Sequence, residues 1–267
     1  MRRRHAGPGC PRSAAEDFIT EDVEIDKRIG MQVGVHTGDL RSLTADALVV
    51  PVYTGGEVDP ATKAVDALLD GAIARAVGSG EVTGTTYERT IFHVPRSAGA
   101  GFTPRAVLAV GLGAMKDLDA VTVGRYAGAA VRYLGKRKYD SIAVALPAAA
   151  SKTSKNAKPN AGHAAQRIAE IALTATFDTT THRSKAPDDR VVTTRVVLYA
   201  PGGDAQALSQ ALARGRVIGD GVNLARILAN APPAELTPEA MAGSARTVAK
   251  QVGLGFDVLE PKQMEQL

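Results

Sequence analysis

Tryptophan is absent from this 267-residue chain, aromatic residues make up only 4% of it, and there is a single cysteine. With Cys10 as the only thiol, no disulfide can form within the chain, and nothing in the sequence demands an oxidising compartment. The shortage of rings leaves the core to Val, Leu, Ile and Ala, a composition suited to strands buried on both faces of a sheet. No apolar run approaches the roughly 18 residues that a membrane helix needs, so no membrane partner is expected. Met1 to Asp17 is basic but lacks the apolar stretch of a secretory signal. Its Pro, Gly, Arg and Ser content predicts a disordered extension over residues 1–24, with a transit peptide as the alternative reading.

Neither sign of charge dominates. The 32 basic and 28 acidic residues leave a net charge of +4, and the 45% hydrophobic content is that of an ordinary globular protein. The basic surplus gathers in Arg2-Arg3-Arg4 and in Arg132, Lys136, Arg137, Lys138, Lys152, Lys155 and Lys158. Such clusters can meet a nucleic-acid backbone, but a solvated surface is the commoner explanation.

Motifs that carry chemistry are missing. His5, His36, His93, His163 and His182 stand far apart, no His-Glu-x-x-His pattern joins any two, and no Gly-x-Ser-x-Gly elbow occurs. Gly111-Leu112-Gly113 follows a strand and precedes a helix, the context of a phosphate-binding turn. Lys116 stands where a dinucleotide fingerprint needs its third glycine, and no Gly-Lys-Ser/Thr follows, so the triplet reads as a tight turn. No catalytic, cofactor-binding or metal-ligating residue is therefore assigned.

What is present is an alternation of strands and helices from about Met31, which argues for an α/β sheet. Strands are expected at Gln32–His36, Ala47–Val52, Thr90–Val94, Arg105–Val110, Ser141–Leu146, Val191–Tyr199 and Gly255–Leu259. Helical spacing predicts Thr62–Val77, Asp119–Leu134 and His163–Ala175. A long helix starts after Asp204 and runs to Ala229, with Leu208, Ala211, Leu212, Ile218, Val222 and Ala225 as its buried stripe. Thr237-Pro238 opens a further helix. Ser151–Asn160 is polar and Lys-rich, and reads as a surface loop.

Two resemblances agree with this pattern. Thr37-Gly38-Asp39-Leu40 followed by Ala45-Asp46-Ala47-Leu48-Val49-Val50 resembles the start of macro domains, which bind ADP-ribose. The Asn-containing element and the later Gly-rich loop of those domains are missing, and Leu146-Pro147-Ala148-Ala149-Ala150 stands near where the latter belongs. More of the chain, roughly Gln32 to Leu267, resembles the cytosol (leucyl) aminopeptidase family, whose N-terminal domain is itself macro-like. Ala106 to Gly113, Ala165 to Asp178, Lys185, Asn223-Leu224-Ala225-Arg226 and Leu236-Thr237-Pro238 carry this likeness. The last two groups fit the family's junction between its N-terminal and catalytic domains. Ile171, Ile227 and Ala234 depart from the family pattern; Ile171, where a glycine is usual, and Ala234, where an Asn usually follows the two prolines, are expected to loosen local turns or packing.

The resemblance implies a macro-like mixed sheet flanked by helices over 25–200, a linker helix over 201–231, and the start of an incomplete peptidase domain over 232–267. The family is a cytoplasmic, hexameric exopeptidase that uses two divalent ions, manganese or zinc, to release N-terminal residues from peptides. Its ligand motifs find no match here, so the chain is expected to be a non-catalytic N-terminal portion, inactive alone and without a cofactor of its own. The implied partners are a separately encoded catalytic domain or further copies of the chain. The alternative is a stand-alone macro-like module that binds a nucleotide or nucleic acid.

Overall fold

The structure, a computed structural model, describes residues 31–95, 99, 101–151, 161–182 and 190–266. The N-terminal extension with Cys10 and the arginine triplet, nearly all of the Lys-rich loop, and Lys185 lie outside the described residues. The chain divides into two compact units, Gly30–Asn230 and a second containing Ala231–Leu267.

The larger unit is a six-stranded mixed sheet flanked by helices. Its strands are β1 (Gln32–His36), β2 (Ala47–Val52), β3 (Arg89–His93), β4 (Ala106–Gly111), β5 (Ser141–Ala145) and β6 (Arg195–Tyr199). They lie in the order β1-β6-β5-β2-β4-β3, all parallel except β3, which runs against β4. Every residue of β2 and β4 is buried, which explains their unbroken apolar sequences. Ala47, Val49, Leu108, Val110, Ile142 and Val144 turn to one face. Leu48, Val50, Val107, Ala109, Ala143 and Ala145 turn to the other. Each large aliphatic side chain so placed contributes about 1.5–3 kcal/mol.

Helices α3 (Ala120–Gly135), α4 (Ala161–Ala175) and α5 (Ala205–Asn230) cover the first face. Asp119 starts α3 by accepting the Thr122 N–H at 2.7 Å, and Asp204 starts α5 by accepting from Gln206 and Ala207, both at 3.0 Å. Helices α1 (Pro60–Asp66) and α2 (Ala72–Gly78) cover the second face.

The structure corrects four sequence expectations. The helix predicted over Thr62–Val77 is broken, because Asp70 and Gly71 both adopt left-handed backbone (φ 53° and 75°). Gly71 has no side chain to cap α2, so the Asp66 carboxylate reaches across the break and accepts from Ile73 and Ala74 at 2.7 and 3.3 Å. The sixth strand is shorter than Val191–Tyr199 and begins at Arg195, where its pairing with β1 and β5 begins. On α5, Ile218 and Ala225 are exposed, and the buried line runs through Leu208, Ala211, Leu212, Gly215 and Gly219. The expected strand Gly255–Leu259 is irregular, since among the described residues no strand pairs with it.

Those α5 glycines set the helix spacing. A Cβ on Gly215 would collide with the carbonyl of Gln166 in α4, and one on Gly219 would lie 3.0 Å from Leu173. On the other flank of α4, Ile171 sits against Gly124 and Gly128 of α3, where there is no room for further side chains. Ile171 therefore fills space that the two glycines leave, rather than loosening the packing.

The second unit contains α6 (Pro238–Val252) and α7 (Pro261–Met264). Thr237 caps α6 by accepting the Ala240 N–H at 3.3 Å, Pro238 takes its first turn, and Gly253 ends it with φ 73°. Val252, Leu254, Leu259 and Met264 are all more than half exposed.

Gly215→Ala should destabilise the chain by about 1–3 kcal/mol, because the clash is with rigid backbone. Gly221→Ala, six residues further along the same helix in open space, should stabilise it by about 0.5–1 kcal/mol. Urea unfolding of the two variants checks the pair, and equal effects would refute the packing account.

Candidate functional site

Ligands of α/β sheets bind at the carboxyl ends of the parallel strands. Because β1, β2, β4 and β5 run the same way, the structure brings Thr37-Gly38-Asp39, the segment after Pro51, the Gly111–Gly113 turn and Leu146–Ala150 to this one edge. The edge is where the sequence pointed, and the chain itself occupies it.

The ladder between β2 and β5 stops at Val49 and Val144. Beyond that point Pro51, which has no N–H, is tolerated within a central strand. Its carbonyl accepts from the Thr62 hydroxyl at 2.6 Å. Between the diverging ends lies a buried network around Asp59, which is 1% exposed. One carboxylate oxygen accepts the Ala61 N–H at 3.0 Å and caps α1. The other accepts from the Tyr53 hydroxyl at 3.2 Å and from the Ala148 N–H at 2.8 Å. A carboxylate with three donors is satisfied without water. Burial, and then the charge of Asp59, push the Tyr53 hydroxyl far above its ordinary range, so it stays a neutral donor. Tyr126 beneath is also held neutral, chiefly by burial, and donates to the Ala145 carbonyl at 3.3 Å.

The glycine triplet is closed in a different way, by the loop 83–88, which sequence reasoning missed. Gly111 donates to Glu88 O at 2.8 Å, Leu112 to Val52 O at 2.9 Å and Gly113 to Gly84 O at 2.9 Å. No backbone N–H of the triplet is left to cradle a phosphate. The Glu88 carboxylate ties the loop by accepting from Thr83 N at 2.9 Å and Gly84 N at 2.8 Å. A Cβ on Gly84 would collide with the Tyr53 carbonyl, and one on Gly111 with that of Thr85. Gly84 and Glu88, four residues apart, were the available signal.

At the end of β1, His36 Nε2 lies 2.9 Å from the Asp39 carbonyl and 3.3 Å from Ser42 Oγ. This is not a nucleophilic dyad. The Ser42 hydroxyl donates to the same carbonyl at 2.8 Å, and the Asp39 carboxylate is taken by the Arg41 N–H at 2.7 Å. Of the other histidines, His93, His163 and His182 are described and His5 is not. Among the described residues no three His, Cys, Asp or Glu side chains gather in a way that could hold a metal ion. The described residues offer no ligand set that fits a di-metal centre.

The junction residues have a structural task. Helix α4 ends with carbonyls that lack intrahelical partners. Asn223 Nδ2 donates to Leu173 O at 3.2 Å, and Arg226 donates to Thr174 O at 2.9 Å while lying over the Phe177 ring at 5.6 Å. A cation at a helix C-terminus is also favoured by the macrodipole. The cluster Arg132, Lys136, Arg137 and Lys138 sits at the corresponding end of α3, with Arg137 stacked 3.6 Å from the centre of the Tyr133 ring.

Comparison with known proteins places this arrangement. Residues 49–186 match the cytosol aminopeptidase family, N-terminal domain. A probable cytosol aminopeptidase of Solibacter usitatus is 32% identical over 237 residues, covering 89% of this chain and 44% of that protein. One from Syntrophotalea carbinolica is 30% identical, covering 88% of this chain and 46% of its own length. A mutant leucine aminopeptidase from tomato shares the fold, with a TM-score of 0.71 at 18% identity over 88% of this chain and 46% of the tomato chain. The chain belongs to the cytosol aminopeptidase family and carries its N-terminal domain. It spans less than half the length of the relatives it matches.

Asp59→Asn should destabilise the chain by about 1–3 kcal/mol, because in either orientation the new amide N–H₂ faces a buried backbone N–H, that of Ala61 or that of Ala148. Tyr53→Phe, which removes one donor from a carboxylate that keeps two, should cost less. Thermal unfolding of both variants tests this, and the reverse order would dismiss Asp59 as the organiser of the edge.

Proposed function

We propose that this chain is the non-catalytic N-terminal portion of a leucyl aminopeptidase-like di-metal exopeptidase. In this reading residues 25–200 form a macro-like scaffold, 201–231 a linker helix, and 232–267 the beginning of the catalytic domain. The observation that carries it is the match to the family's N-terminal domain in a chain that covers less than half of its relatives. The self-filled strand edge supports a structural role over the alternative of a nucleotide-binding module.

The full-length enzyme releases N-terminal residues from peptides with two divalent ions, manganese or zinc, held by a catalytic domain outside this sequence. A bottromycin maturation enzyme whose structure holds manganese has a related fold (TM-score 0.55, 24% identity), which agrees with a metal-dependent chemistry in the complete protein. The naming of the relatives as cytosol aminopeptidases supports a cytoplasmic location. No helix among the described residues is long and apolar enough to cross a membrane. The partner is a catalytic domain supplied separately, or further copies of the chain in a hexamer. The exposed Val252, Leu254, Phe256 and Leu259 are the surface that such a domain would cover.

The purified chain should not hydrolyse leucine p-nitroanilide with added manganese or zinc. Metal-dependent turnover that co-purifies with the chain and vanishes with a chelator would contradict the proposal. Hydrogen exchange on the monomer should show amides of 255–259 exchanging far faster than those of Ala47–Val52. Equal protection would mean that the C-terminal segment has a core of its own and awaits no further domain.

A further inference from the structure

A second feature of the larger unit lies away from the strand edge. Helices α3 and α4, with Arg226 of α5 and Tyr87, line an open surface groove of about 570 Å³. Its floor is made of small and aliphatic residues, Gly128, Ala129, Ile171 and Ala175, a consequence of Ile171 seating against the α3 glycines. Its rim carries three guanidinium groups, Arg125, Arg132 and Arg226. Tyr87 completes the lining, held with left-handed backbone (φ 68°), which is rare for an aromatic residue.

We propose that this groove docks an acidic, partly apolar peptide segment of a partner protein. The charge is the first argument. Three other guanidinium groups of the unit stand in ion pairs: Arg167 with Glu170, Arg190 with Asp178 and Arg216 with Asp220. Arg125 and Arg132, both exposed and about 10 Å apart along α3, make no ion pair or side-chain hydrogen bond among the described residues. The nearest carboxylate on their own helix, Asp119, is already used as the helix cap and only senses Arg125 through space. Two such cations beside an apolar trough are complementary to carboxylates, which guanidinium binds in a two-pronged fashion.

The floor is the second argument. An aliphatic trough rewards a ligand that brings aliphatic side chains, as a peptide does. A nucleic-acid backbone brings none, and with Tyr87 as its single ring the groove offers no row of aromatics for successive bases.

Fluorescence anisotropy on the intact chain tests the proposal, using a short fluorescein-labelled peptide of alternating Glu and Leu and its Gln-for-Glu counterpart. The acidic peptide should bind saturably and weaken as salt rises. The Gln counterpart, the double variant R125E/R132E and the floor variant A129E should each lose at least about tenfold in affinity. Arg214→Glu, exposed on α5 and outside the groove, should change nothing. Circular dichroism confirms that the variants fold. No saturable binding, equal binding of the Gln peptide, indifference to R125E/R132E, or displacement of the peptide by a single-stranded oligonucleotide at lower concentration than by unlabelled peptide would each overturn the assignment.

Discussion

Burial of the central strands on both faces is the constraint from which the rest of this structure follows. β2 and β4 have no exposed residue, so the sheet needs a helical layer on each side. On the side of α3, α4 and α5 that layer is drawn tight by glycine. Gly124, Gly128, Gly215 and Gly219 let three helices approach until backbone meets side chain, and Ile171 occupies the space they concede. The fit is one of shape, not of apolar side chains alone, and it is strictest at Gly215, where a Cβ would meet the Gln166 carbonyl.

The same economy shapes the strand edge. Where β2 and β5 part, the opening is filled by Tyr53 and Asp59, and where β4 ends, by the loop 83–88. Both fillings spend the polar groups a ligand would need. Asp59 satisfies the first N–H groups of α1 and of the turn at Ala148, and Gly84 and Glu88 consume the N–H groups of Gly111 and Gly113. At this edge the N-terminal domain of the family is closed by its own side chains and backbone. Its junction residues, Asn223 and Arg226, finish helix α4.

The C-terminal unit differs in kind. Its two helices are well specified locally, by Thr237, Pro238, Gly253 and the exchange between Glu260 and Gln263. Its larger apolar residues Val252, Leu254, Leu259 and Met264 nevertheless remain more than half exposed. Capping is a short-range property and survives without neighbours, whereas a strand does not, because its backbone groups need a partner. That is why α6 is present while Gly255–Leu259 is irregular.

By itself the sequence determined the α/β class, the strands β1 to β5 to within a residue, the start of α3 near Asp119, the caps at Asp204 and Thr237, and the family through its junction residues. These are local or periodic signals, carried by composition and by spacing along the chain. Tertiary structure decided what depends on residues distant in sequence. Asp59 meets Ala148, Glu88 meets Gly111, and Gly215 meets Gln166 only after the sheet has formed. The same holds for the break at Asp70-Gly71, since both short helices pack on one sheet face and so keep a single apolar period. The buried line of α5 escaped a search for apolar side chains, because its key members are glycines. The groove with Arg125 and Arg132 was invisible for the same reason: two helices had to be brought side by side before there was a floor between them.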